Sequence, residues 1–155
     1  ARADLLAGYA LAFGLVATLQ TSLTAALALG PLGLQVRGAA GLVVLVAVLG
    51  ALLGTALGLL LSAFARTEFQ AVQFMPAVVL PQLLLCGLFA PRAAMARPLE
   101  LLSDALPMTY AVRGMQRVAA SGDVTAALVG DLAVVAGSTA LALVLGAATL
   151  RRRSA

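Results

Sequence analysis

Four apolar stretches, residues 5–29, 41–62, 71–90 and 124–150, take up most of this 155-residue chain, and the first three contain no Asp, Glu, Lys or Arg. At 1.5 Å per helical residue, each is long enough for a hydrocarbon core about 30 Å thick. A soluble globule built from such runs would lack the polar surface to cover itself. The chain is 63% hydrophobic and 10% charged, against about 45–50% and about 25% in soluble domains. We therefore read it as all-α, a polytopic helical membrane protein with four transmembrane helices in a single transmembrane domain.

Several chemistries are excluded by what the chain lacks. All ten cations are Arg, and they are scattered between apolar runs, so the basic balance makes no nucleic-acid face. There is no His and one cysteine, Cys86, which leaves no metal cluster, no intrachain disulfide and no cofactor motif. No G-x-S-x-G occurs, and no phosphate loop can end in a lysine the chain does not have. Asp131 lies two turns into the last stretch and reads as interfacial, within reach of Arg113 and Arg117; the deeper interior of every span is free of carboxylates. Ion-coupled transporters need ionisable groups at membrane depth, so any energy for transport must come from elsewhere. Composition rich in Arg, Ala, Leu, Gly and Val suggests a bacterial source. The absence of Met and of a signal peptide at Ala1 suggests a piece of a longer protein.

Within the first stretch, Thr18, Thr21, Ser22 and Ala25 share one helical face. Two uses are open to it: hydroxyls bonding their own helix, or a face toward a partner or wet cavity. Gln20 is harder to satisfy within its own helix and is the better candidate for a substrate path, together with Thr18, Ser22 and, in the third stretch, Gln82. Gly50, Gly54 and Gly58 recur every four residues in the second stretch, a stripe that lets another helix approach closely. A polar turn at 63–70 carries Arg66, Glu68 and Gln70. In the third stretch Pro76 is expected in the first turn and Pro81 in the interior, as a kink.

Residues 97–120 are too polar to span and too apolar to float free. The prolines at 98 and 107 frame a short amphipathic helix over 98–106, and Thr109 can cap a second one. Glu100 and Asp104 stand four apart, as do Arg113 and Arg117. The expectation is an interfacial or re-entrant helical hairpin before the last span, with the acidic pair facing the basic pair; an amphipathic helix lying flat on the bilayer is the alternative. Asp123 is expected to cap the last span after Gly122. Arginines divide five against five between the two sides, and the run Arg151, Arg152, Arg153 abutting the last span breaks the tie toward cytoplasmic termini.

Gly58-x-x-x-Ser62-Ala63-x-Ala65, Gln70-Ala71, Pro76, Leu80-Pro81, Gly87-Leu88-Phe89-x-Pro91 and Pro107-x-Thr109-Tyr110, in this order and spacing, resemble the second half of ABC-2 type permeases. These are membrane subunits of ABC exporters for drugs, antibiotics, polysaccharides and lipids. The resemblance is densest over 62–117. It implies the last four of six spans, and an outer-face helical hairpin that includes Glu100, Asp104, Tyr110, Arg113 and Arg117. It also implies a cytoplasmic turn with Arg66, Glu68 and Gln70 near a partner ABC ATPase subunit. A second permease copy and a multi-pass place in a bacterial cell membrane follow, with hydrolysis in the partner chain and not here. The family often has Met-Pro directly after the Gly-Leu-Phe-x-Pro element; here Met95-Ala96-Arg97-Pro98 delays the proline, which leaves the start of the first hairpin helix open. The alternative is a non-transporting membrane scaffold or anchor subunit. It accounts for the spans and the glycine stripe but not for the prolines and the hairpin.

Overall fold

The computed structural model describes residues 2–152. Its helices are α1 (Arg2–Leu29), α2 (Ala40–Phe64), α3 (Glu68–Leu85), α4 (Arg97–Ala105), α5 (Pro107–Ala120) and α6 (Ala126–Arg152), with a 3₁₀ turn at Arg92–Ala94. No strand occurs among the described residues. Four of the helices, over Ala7–Leu29, Ala40–Phe64, Glu68–Leu85 and Ala126–Thr149, are long and apolar enough to cross a membrane. The side chains of Arg151 and Arg152, and Arg153 as a whole, which the sequence marks as an anchor, lie outside the described residues.

The apolar runs set where these helices form; their ends are set by local chemistry. Thr67 caps α3, its hydroxyl accepting from the Gln70 N–H at 3.2 Å, while the Gln70 side-chain oxygen accepts from the Arg66 N–H at 2.9 Å. This is close to a reciprocal capping box. Helix α3 therefore begins earlier than expected, which puts Pro76 as well as Pro81 inside it. Neither proline offers an N–H, so the carbonyls of Val72 and Ala77 lose their helical donors. The helix stops at Leu85 rather than 90, and Gly87 turns the chain with φ +86. Pro98 sits in the first turn of α4 and Pro107 opens α5 directly after it. Helix α6 is capped by Thr125, not by Asp123: the Thr125 hydroxyl accepts from the Leu128 N–H at 3.2 Å.

Helix α2 is central, with α1 and α6 packed along it and α5 against both α2 and α6. The core lies where α2, α5 and α6 converge, at Val43, Val46, Val118 and Leu128, closed by Leu29, Val36 and Met115. The α1–α2 loop is tied to the same place. Gly38 N–H donates to the Val118 carbonyl at 3.0 Å and Arg37 N–H to the Ala119 carbonyl at 3.2 Å, which satisfies two carbonyls that the end of α5 leaves open. The tie needs a glycine: a Cβ at position 38 would lie 2.5 Å from the Val118 oxygen. Away from this core, Leu11, Leu15, Leu19, Leu23 and Leu27 form an exposed ridge down α1. A ridge of that kind suits lipid or another apolar helix, not water.

Candidate functional site

Helices α4 and α5 form a hairpin, and its fastening differs from the pairing expected. The acidic pair does not face the basic pair. Asp104 binds Arg92, from the 3₁₀ turn before the hairpin. Arg113 and Arg117 both reach Asp131 on α6. The Arg113 Nε donates to Asp131 Oδ1 at 2.9 Å and the Arg117 Nε to Oδ2 at 2.8 Å, with Arg113 Nη2 also on Oδ1. Glu100 is exposed. The spacing explains the outcome. Arg113 and Arg117 are one turn apart on α5, and Asp131 is the carboxylate that α6 presents to that face. Asp131 is 3% exposed while the arginines keep about a third of their surface. The charge is therefore desolvated on one side and shared on the other. The bond to Asp131 raises the Arg113 pKa above the ordinary arginine value, against the opposing effect of burial. Arg113 also lies 4.6 Å over the Tyr110 ring, and the Tyr110 hydroxyl donates to the Asp104 carbonyl at 2.8 Å.

A second fastening, not anticipated from sequence, joins the hairpin to the end of α3. The Ser103 hydroxyl donates to the Leu85 carbonyl at 2.7 Å, and the Thr109 hydroxyl donates to the Ser103 carbonyl at 2.7 Å. Both side chains are fully buried. Thr109 is thus an internal bridge rather than the cap expected for α5. Leu85 carries one of the carbonyls that a helix end leaves open, and α4 supplies the donor. Cys86, beside it, is buried, and its thiol donates to the Leu83 carbonyl.

The residues assigned to a substrate path are not brought together within one chain. Gln82 is 4% exposed; its amide nitrogen reaches the Val78 carbonyl at 3.4 Å and its buried oxygen has no partner. It lines an apolar cavity of about 260 Å³ between α2 and α3 that Met108 and Ala111 of α5 close. Gln20 lies elsewhere, in a groove of about 400 Å³ formed by α1, α2 and Met115 of α5. The Thr18 hydroxyl bonds back to the Gly14 carbonyl at 2.7 Å, and Ser22 is half-buried. The glycine stripe lines the Gln82 cavity. A Cβ at Gly50 would touch Ala111 and one at Gly58 would touch Met75, each at 3.8 Å, and Gly54 has open space.

At the opposite end of α2, Ala65, Arg66 and Thr67 make the turn into α3. Gln70 is spent on capping it, which leaves Arg66 and Glu68 as its exposed charges. Glu68 in the first turn of α3 also suits the positive end of the helix dipole.

Residues 1–119 match the family described as ABC-2 type transporter. That span takes in α1 to α4 and nearly all of α5; α6, with Asp131, lies beyond it. Neither the curated proteins nor the solved structures give a match.

Proposed function

The chain belongs to the ABC-2 type transporter family and is a membrane component of an ABC-type transporter; from that premise we propose that it is the permease subunit of an ATP-driven exporter. A separate ATPase subunit supplies the energy, and the permease works beside a second copy. The polar turn with Arg66, Glu68 and Gln70 is the cytoplasmic surface on which the ATPase acts, and the α4–α5 hairpin covers the outer end. Both termini are then cytoplasmic, in a bacterial cell membrane. Substrates are drug-, antibiotic- or lipid-like.

One observation carries this reading best. The two ends of the bundle are built differently: one bears a short capped turn with free-standing charges, the other a hairpin held by buried hydrogen bonds and a desolvated ion pair. A plain anchor has no use for that asymmetry. Movement of the turn can reach the hairpin through α3, whose two prolines weaken its middle and whose Leu85 carbonyl holds α4.

Affinity capture of the tagged chain from its own membranes tests this. An ATPase with a Walker A motif is expected to copurify, and reversal of both charges, Arg66→Glu with Glu68→Arg, is expected to release it while the permease stays folded. Recovery of the chain with no ATPase would defeat the exporter reading.

A further inference from the structure

In the half of α1 nearest the hairpin, Gln20, Thr21 and Thr24 line one side of a groove of about 400 Å³, and Ala25, Ala47 and Met115 form part of the rest. Spacing of one and four residues puts the three polar groups on one strip of the helix. They lie in the middle and second half of the apolar stretch Ala7–Leu29. The hydroxyls of Thr24 in the groove and of Thr18, Thr55, Thr139 and Thr149 elsewhere in the spans each donate to the carbonyl four residues back. Thr21 does not do so, and the exposed Gln20 amide has no hydrogen-bond partner among the described residues. An amide left unpaired in hydrocarbon is costly, so a polar group must come to it. No charged residue lines the groove. An ion would be desolvated there with nothing to pair it, whereas a hydroxyl or amide finds both a donor and an acceptor on Gln20 and again on Thr21.

We propose that this groove binds the uncharged hydrogen-bonding head of an amphiphile, whose apolar body lies along Leu34, Val43 and Met115. Its role as a station for substrate rests on the exporter reading; the binding does not. Alanines at 25, 28 and 47 keep the groove deep enough for a head group, and the three polar side chains sort heads by charge rather than by size.

The test uses the full chain in lipid nanodiscs, in a Cys86→Ala background carrying Thr24→Cys, and reads the rate of labelling by N-ethylmaleimide. Three single-chain probes share a decyl-length tail: 1-decanoylglycerol, decyl phosphate and decyltrimethylammonium. The neutral probe, at about four times its Kd, is expected to slow labelling about fivefold by occupying the groove, and the two ions at the same concentration to have little effect. Leu23→Cys, on the exposed leucine ridge, should respond to none of them. Gln20→Leu should abolish the protection and Thr21→Val reduce it, in proteins with unchanged helical content. Equal slowing by all three probes, or protection that survives Gln20→Leu, would overturn the proposal. So would spontaneous disulfide dimers of Thr24→Cys insensitive to every probe, because a second copy would then fill the groove. An arm with 1,2-dioleoylglycerol assigns the source of the head group. Protection by it points to a two-chain membrane lipid, and protection by the single-chain probe alone points to a smaller exported molecule; either keeps the site. Binding is read without ATP, so failure here leaves the exporter reading to its own test.

Discussion

Asp131 of α6 receives Arg113 on one carboxylate oxygen and Arg117 on the other, so a single buried carboxylate fixes two successive turns of α5 to the last span. Breaking a buried pair by removing one partner costs about 3–5 kcal/mol, because the remaining charge is left uncompensated. Asp131→Asn leaves two arginines that keep about a third of their surface, so it is expected to cost less, about 1.5–3 kcal/mol for the lost charged hydrogen bonds, and to free the hairpin from α6. Arg113→Gln should cost more than Arg117→Gln, since Arg113 makes two N–H contacts to Oδ1 and Arg117 one to Oδ2. Thermal unfolding in detergent gives the order, and protease cleavage within residues 105–125 reports release of the hairpin. If Asp131→Asn unfolds like the parent, the clamp is not a structural element.

The same pair has a definite pH signature. The folded-state pKa of Arg113 is raised, chiefly by the bond to Asp131. A raised value contributes stability that is fully present below the unfolded arginine range and is lost only as pH rises through the folded value. Ordinary arginine already stays protonated through the whole mildly alkaline range. The Arg113 contribution is therefore expected to stay flat on the alkaline side, up to about pH 12. Parent and Arg113→Gln unfolding curves compared in alkaline buffers check this: a gap that closes between neutral and mildly alkaline pH would mean that a different group holds the clamp.

How much of this was legible in the sequence depends on how local each cause is. The spans follow from apolar runs and the α4 start follows from Pro98, because those signals act within one turn of the chain; Pro107, expected as the end of that helix, instead opens α5. The choice of partner is not local. Glu100 and Asp104 have the right charge and spacing to meet Arg113 and Arg117, but the fold turns Asp104 toward Arg92 and gives the arginines to Asp131. The sequence did put Asp131, the one carboxylate inside an apolar run, within reach of those arginines, and such a charge needs a partner; what it left open is which acid they take. Ser103 and Thr109 gave no such signal: Ser103 falls on the polar face of the short helix with Glu100 and Asp104, and Thr109 reads as a cap until α3 is placed beside them. Gln20 and Gln82 read as one path, and only packing around α2 separates them into two cavities.

Gly38 gives a sharp test of how the α1–α2 loop is held. A methyl group there would sit 2.5 Å from the Val118 oxygen and 2.7 Å from its Cγ1, so Gly38→Ala must push the loop off the end of α5. Overpacking of this kind costs about 1–3 kcal/mol. Gly41→Ala, in the first turn of α2 with open space at its Cβ, should be neutral or stabilising by up to about 1 kcal/mol, since alanine is the better helix former. A pair of melting curves decides it; equal effects at the two positions would contradict the loop tie.

Gln82 separates stability from transport. Its oxygen is buried without a partner, and leaving such a group unpaired costs about 1–3 kcal/mol. Gln82→Leu removes the orphan at the price of one long contact to Val78, so the variant is expected to melt at or above the parent temperature. If the α2–α3 cavity serves the path, export by the complex should fall all the same. A variant that melts clearly lower would show that the oxygen is satisfied in the membrane, by water held in the cavity.

Cys86 is a built-in reporter for the hairpin's second fastening. The thiol is buried, next in sequence to the Leu85 carbonyl that Ser103 caps. Ser103→Ala leaves that carbonyl without its donor, and the cost of about 1–3 kcal/mol falls on the contact between α3 and α4 rather than on the whole bundle. Opening α4 alone then becomes about fivefold to a hundredfold more frequent, and Cys86 is exposed each time. The native protein is expected to react slowly with N-ethylmaleimide, Ser103→Ala faster by that factor, and Thr109→Val faster than native because it frees the Ser103 carbonyl. Asp131→Asn releases the other side of the hairpin and should change Cys86 reactivity less than Ser103→Ala does. If Asp131→Asn instead exposes Cys86 as strongly, the two fastenings act as one unit, and a signal arriving along α3 would release the hairpin in a single step.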